Sequence, residues 1–216
     1  MRARTYVHVM DGRLIVVEGP DGAGKTTLVS GLRDRLAGQG IACQTLREPG
    51  GTQLGEQIRS MVKDPDLLIG DRAEALLFAA ARAQIVEQVI TPSLRCGQWV
   101  LLDRFIDSSV VYQGLARGLG VEQVCALSEF AAPNVAADLT IVLALSSAQA
   151  RARQGQRDGG QADRIERAGS AFLQAVTDGY ASIPDRNPSA RIVDASGTPE
   201  QVLNDAWAWV KQLAAG

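Results

Sequence analysis

Apolar positions along this chain follow two alternating patterns. Leu14-Ile15-Val16-Val17 is a continuous apolar run rich in β-branched residues, ending in Glu18-Gly19. Similar runs occur at Trp99–Leu102, Leu139–Leu145 and Arg191–Val193, with a weaker one at Ile41–Leu46. Residues apolar at consecutive positions predict strands buried on both faces, as in a parallel sheet. Between these runs the period changes. Leu28, Leu32 and Leu36 stand four apart within Thr26–Ala37, which places them on one helix face. Ala73–Leu94 carries Leu76, Leu77, Phe78, Ile85, Val86, Val89 and Ile90 in a long amphipathic pattern that Pro92 is expected to break. Pro199–Ala214 reads as a helix with Thr198 at its N-cap and Pro199 at its first position. Five strands alternating with helices predict an α/β fold: three α/β/α layers around a five-stranded, doubly wound parallel sheet. In such sheets function gathers at the carboxyl ends of the strands.

Length and charge narrow this further. The chain has 216 residues and is 46% hydrophobic, which suits one domain over 1–216. Residues 1–12 read as a ragged leader with no recognisable pattern. A net charge of −2 argues against nucleic acid as the main partner, since binders of long polyanions carry a basic excess. Cys43, Cys96 and Cys125 are far apart and His8 is the lone histidine, so a zinc site is excluded; the thiols are expected to be buried small apolar groups. No signal peptide is evident, and no run approaches the roughly 20 apolar residues of a membrane span, so a cytoplasmic location is expected. Trp207 and Trp209 stand two apart on the last helix, so only one is expected to face the core squarely.

The chemistry begins at Gly19-Pro20-Asp21-Gly22-Ala23-Gly24-Lys25-Thr26, which fits G-x-x-x-x-G-K-[ST]. Glycines let backbone N–H groups converge on phosphate oxygens, and the helix that follows turns its positive end toward them. Lys25 is expected at the β- and γ-phosphates and the Thr26 hydroxyl on Mg²⁺. The motif follows a predicted buried strand and opens a predicted helix, the context a nucleotide triphosphate site requires. Asp103, closing the Trp99–Leu102 run, is the expected metal-side carboxylate, though a helix cap is the plainer alternative.

A phosphate loop serves phosphotransferases and hydrolytic switches alike. No Asn-Lys-x-Asp motif marks a guanine switch. A kinase needs a cover that keeps water from taking the phosphoryl group. Ser147–Asp163, polar, glycine-bearing and arginine-rich, suits such a lid, although an isolated stretch of this kind is most often a solvated loop.

Five motifs then occur in order: Glu-Gly-Pro-Asp-Gly-Ala-Gly-Lys-Thr-Thr at 18–27, Arg-Glu-Pro-Gly-Gly-Thr at 47–52, Leu-Leu-Phe-Ala-Ala-Ala-Arg at 76–82, Asp-Arg-Phe at 103–105 with Ser108-Ser109 and Tyr112-Gln113-Gly114, and Asp-Arg-Ile-Glu at 163–166. With them the chain resembles bacterial thymidylate kinases from Leu14 to about Tyr180. The resemblance implies a homodimer that uses Mg²⁺ and ATP to convert dTMP to dTDP. Another nucleoside monophosphate kinase and a non-catalytic nucleotide-binding regulator are the alternatives.

It also implies roles for particular residues. Gly19 to Thr27 and Arg164 would hold ATP. Glu48, Pro49, Arg59, Phe78, Arg82, Ser108, Ser109, Tyr112 and Gln113 would hold dTMP, and Glu48 would lie near the metal. Phe78 and Arg82, four apart on one helix face, would stack on the thymine ring and donate to its O4. Phe78 taken alone reads as core. Ser109 and Gln113 would complete the base edge, and Tyr112 would crowd a ribose 2′-hydroxyl. Asp21 would approach the sugar 3′-hydroxyl, unless it merely braces the loop. Two anions must meet in this reaction, so Lys25, Arg59, Arg104 and a lid arginine should line their junction. Position 22 is glycine, so the loop has no arginine of its own; Arg151, Arg153 and Arg157 are the lid candidates, with Arg153 favoured.

Overall fold

A computed structural model of the chain describes residues 12–157 and 163–215. Five strands, β1 (Leu14–Glu18), β2 (Cys43–Arg47), β3 (Trp99–Asp103), β4 (Leu139–Ala144) and β5 (Ala190–Asp194), form one parallel sheet in the order β2-β3-β1-β4-β5. Leu14 pairs with Val100 on one side of β1, and Ile15 pairs with Leu139 on the other. β1, which feeds the phosphate loop, is therefore the central strand.

The consecutive apolar residues divide between the two faces. Ile15, Val17, Leu101, Ile141 and Leu143 pack against α1 (Lys25–Gly38) and the C-terminal helix, while Leu14, Val16, Val100 and Leu102 pack on the opposite face. Side chains that leave water completely stabilise the fold by about 1.5–3 kcal/mol each, so this two-sided burial fixes the register of β1 firmly. The remaining helices are α2 (Gln53–Lys63), α3 (Asp71–Ile85), α4 (Thr91–Arg95), α5 (Ile106–Ser109), α6 (Val121–Ala131), α7 (Ser147–Arg157), α8 (Ser170–Ala181) and α9 (Pro199–Ala215).

Several expectations change. Pro92 does not break the long helix: α3 runs through a wider π turn, Val86–Ile90, into α4, which carries Pro92 in its first turn. The widened turn absorbs the hydrogen bond that proline cannot make. Residues 1–11 lie outside the described part, but Gly12 is no leader; it is buried, donates to Leu94 O, and has Gln98 O only 2.4 Å from where a Cβ would sit. Cys96 and Cys125 are exposed rather than core groups, while Cys43 is half-buried against the core. Trp207 and Trp209 are both half-buried against the core, under the guanidinium groups of Arg35 and Arg191 respectively. The arginine-rich stretch is helical as α7, with 158–162 outside the described residues. Thr198 does cap α9: its hydroxyl accepts from Gln201 N, and Gln201 Oε1 accepts from Thr198 N in return.

Candidate active site

β1 ends in a tight loop that only glycine permits. Gly19 has φ 139, and a Cβ there would lie 2.8 Å from Leu143 O on β4; Gly24 enters α1 with φ 94. Lys25, buried at the first position of α1, donates to Gly19 O and Pro20 O at 3.0 Å each and stands 3.7 Å from Asp21. Burial and the nearby Arg104 push its ammonium down to about 8, against the pull of Asp21, Asp103 and Glu18. It is an ammonium held inside the loop, with backbone carbonyls as its partners. Thr26 and Thr27 are exposed on the first turn, and the Thr26 hydroxyl donates to Asp103 Oδ2 at 2.9 Å.

Arg104 follows β3 in the left-handed region, at φ 73, which costs a non-glycine residue of order 1 kcal/mol. That conformation turns its side chain back toward the loop. One terminal nitrogen donates to Asp21 Oδ1 at 2.6 Å; the other donates to Tyr180 OH at 2.6 Å and to Ser108 Oγ at 3.1 Å. Tyr112 lies beneath it, ring centroid 5.2 Å from the guanidinium carbon, and donates its hydroxyl to Asp21 Oδ2. Burial raises the Asp21 carboxyl, but Arg104 and Lys25 outweigh it and hold Asp21 well below the usual range. Arg59, on α2, donates to Pro49 O. Burial, then Arg47, lowers its affinity for a proton, and the charges of Asp103 and Arg104 also reach it.

Beneath this cluster lies Glu18, fully buried at the end of β1. It accepts from the backbone N–H of Phe105 and of Ser108 and from the Ser108 hydroxyl, and it lies 3.3 Å from Tyr180 OH. Burial and the neighbouring Asp107 lift its carboxyl to about 7.

On α3, Arg82 is almost wholly buried. Its Nε donates to Glu48 Oε2 at 3.0 Å, Nη1 to Ser128 Oγ, and Nη2 to Phe105 O and Ser109 Oγ. Burial raises the Glu48 carboxyl despite Arg82, and Glu48 Oε1 is buried without a partner. Arg82, expected to donate to the base O4, also holds four hydrogen bonds to neighbouring protein groups. Phe78, one turn earlier, is half-buried against Ile58 and Val62 of α2.

Gln113 stands in a π turn, Val110–Ala116, that continues α5 and also carries Tyr112. Its amide nitrogen donates to Glu74 Oε1 at 2.9 Å. Glu74 also receives Arg117 and, at 2.5 Å, Arg164. Arg164, expected at ATP, is therefore tied to α2 and α3, with Nε on Val62 O. Among the arginines of α7, Arg153 donates to Ser196 O at 3.4 Å, while Arg151 lines a small cavity with Pro20, Asp21 and Tyr112. The Arg157 side chain lies outside the described residues.

Glu18, Glu74 and Tyr180 carry this geometry although the sequence assigned them no role. Glu74 had a signal: it stands four before Phe78 and eight before Arg82, on the same face. Glu18 had another, as a carboxylate closing a strand apolar on both faces. Tyr180 had none, since only the chain's return through α8 brings it there.

The family model for thymidylate kinase matches residues 17–206. This chain belongs to the thymidylate kinase family. It is 45% identical to the thymidylate kinase of Pelotomaculum thermopropionicum over 205 residues, 91% of each chain. Over 191 residues it is 43% identical to that of Thermoanaerobacter pseudethanolicus, covering 88% of this chain and 92% of the relative. Over 198 residues it is 42% identical to that of Exiguobacterium sibiricum, covering 91% and 92%. Membership accounts for the five motifs together, and the phosphate loop, Arg104 and the α3 face are the parts of the structure those motifs build.

Proposed function

We propose that this protein is a thymidylate kinase, moving the γ-phosphoryl group of ATP to dTMP and releasing dTDP and ADP. The observation that carries the reading is Arg104, whose strained backbone joins the phosphate loop, through Asp21, to the pocket formed by Ser108 and Tyr112. A cation there lies between two anions that repel one another, which is the chief barrier to their reaction. An oxygen of the dTMP phosphate attacks the γ-phosphorus in line, the bond to the β-phosphate oxygen breaks, and its electron pair leaves with ADP. A phosphate oxygen is nucleophilic at neutral pH, so no general base is required.

Lys25, moving from the loop carbonyls onto the β- and γ-phosphates, and Arg59 add charge at the same junction. Arg153 or Arg151 of α7 supplies the lid cation. Phe78 packs the base, Ser109 and Gln113 read its edge, and Glu48 and Pro49 border the acceptor phosphate. Thr26 Oγ1 and Asp103 Oδ2 are hard oxygen donors suited to Mg²⁺. Among the described residues no group of three His, Cys, Asp or Glu could hold a metal, so the nucleotide phosphates and water would supply the remaining ligands. When bound, the ion would supply charge against the β- and γ-oxygens.

The working form is a homodimer, supported by apolar side chains exposed on three neighbouring helices: Leu54 and Met61 on α2, Leu76 on α3 and Phe130 on α6. No described helix is long and apolar enough to cross a membrane, and the free cysteines suit a reducing, cytoplasmic setting. Nucleic acid is not a partner, in keeping with the net charge of −2.

A coupled assay of ADP release with dTMP, dUMP, dCMP, dGMP and dAMP tests the reading. Preferred turnover of dTMP is expected. Preference for another monophosphate would make this a different kinase of the same class, and no turnover with any of them would leave a nucleotide-binding regulator.

A further inference from the structure

Glu74 and Gln113 form a buried pair that the phosphoryl chemistry does not use. Glu74 is fully buried and accepts from Gln113, Arg117 and Arg164. Burial would raise its carboxyl, but those three donors outweigh it and keep it ionised, below the ordinary carboxylate range. An ionised carboxylate can only accept hydrogen bonds. The Gln113 side chain must therefore turn its NH₂ toward Glu74, since the reverse orientation would press a carbonyl oxygen against a carboxylate. Gln113 Oε1, on the other arm of the amide, is left facing away from Glu74.

The surroundings give that oxygen a target. Glu74, Phe78 and Arg82 stand four apart along one face of α3, and opposite them Ser109 and Gln113 stand four apart on α5 and its π turn. Arg82 pairs with Ser109 and Glu74 with Gln113, two polar rungs about 12 Å apart along α3, with Phe78 midway between them. A planar base stacked on Phe78 would lie between these two rungs, with its edge within reach of the Gln113 amide.

We propose that Glu74 is a specificity-determining positioning residue: by fixing the Gln113 amide with its carbonyl toward the acceptor, it makes the site select bases that carry a ring N–H and reject cytosine. This rests on the thymidylate kinase reading above. Thymine and uracil donate from N3. Cytosine offers a lone pair there, which would face Gln113 Oε1 as two opposed acceptors and leave both buried without a partner. Glu74 touches no substrate; it acts through Gln113.

The test compares kcat/KM for dTMP and dCMP in the wild type and in Glu74→Gln, with thermal melting to confirm folding. A glutamine at position 74 can donate as well as accept, so the Gln113 amide is free to invert. We expect the preference for dTMP over dCMP to fall at least about tenfold, through a higher KM for dTMP and an unchanged KM for ATP. Arg117→Met removes a cation from Glu74 while leaving the carboxylate, and should lower the melting temperature while keeping the preference. Equal losses for dTMP and dCMP in Glu74→Gln would make the carboxylate purely structural and overturn the proposal.

The wild type gives a reading that needs no variant: dTMP methylated at N3 should not be turned over, and its turnover at the dTMP rate would overturn the proposal equally. A wild type that prefers a purine or cytosine acceptor refutes the thymidylate reading itself. A wild type that prefers dTMP, with no change of preference in Glu74→Gln, refutes this inference alone.

Discussion

Around Arg104, the side chains of Asp21, Ser108, Tyr112 and Tyr180 all lie within 3.4 Å of its terminal nitrogens, and Glu18 supports them from below. On α7 the contrast is plain: Arg151 is exposed, and Arg153 reaches Ser196 O at 3.4 Å, the long end for a hydrogen bond. The cluster around Arg104 is thus organised by the protein's own buried polar groups. Arg151 and Arg153 of α7 have few partners among the described residues. Buried polar networks are costly when half satisfied and rigid when complete, so stability and chemistry should be entangled on the acceptor side and separable on α7.

Four substitutions probe that contrast. Arg82→Met strands Glu48 in the interior and should cost about 3 kcal/mol of stability, read by denaturant unfolding. A loss under about 1 kcal/mol would show that the Arg82–Glu48 pair does little to hold the pocket. Lys25→Ala should lower kcat by about 10²–10³-fold and leave the affinity for dTMP nearly unchanged, in steady-state assays and calorimetry.

Glu18→Gln tests the buried carboxylate by pH. The folded value is raised, from 4.5 to about 7, so Glu18 contributes stability that is full below about 4.5 and is lost as pH rises through 7. Denaturant unfolding at pH 5 and pH 8 should therefore show a difference between wild type and variant that changes by on the order of 3 kcal/mol. A constant difference would place the Glu18 carboxyl in the ordinary range. The smallest effect belongs to the lid. Arg153→Ala should change stability by less than about 0.5 kcal/mol while lowering kcat. A stability loss like that of Arg82→Met would erase the contrast between the two sides.

The same contrast explains what the sequence made legible. The strands were readable because Leu14–Val17 and its counterparts are apolar at every position, and the phosphate loop because glycines and a lysine at fixed spacing leave little else for the chain to do. The α3 face was half legible: four-residue spacing exposed Phe78 and Arg82, and the same spacing reaches Glu74. Tyr180 and Ser128 could not be foreseen, since nothing local marks a residue whose partner lies 76 or 46 positions away. Pro92 misled because a π turn can absorb its missing donor. The lid arginines stayed ambiguous because α7 is polar on nearly every face, and position alone does not say which side meets phosphate.

The most direct test is calorimetric titration of dTMP, without ATP, into the wild type and into Arg104→Met. A pocket already organised around Arg104 predicts that the wild type binds dTMP unaided, that the variant loses at least about tenfold in affinity, and that both bind ATP alike. Wild-type binding of dTMP only after ATP, or equal dTMP affinity in the two proteins, would contradict the account.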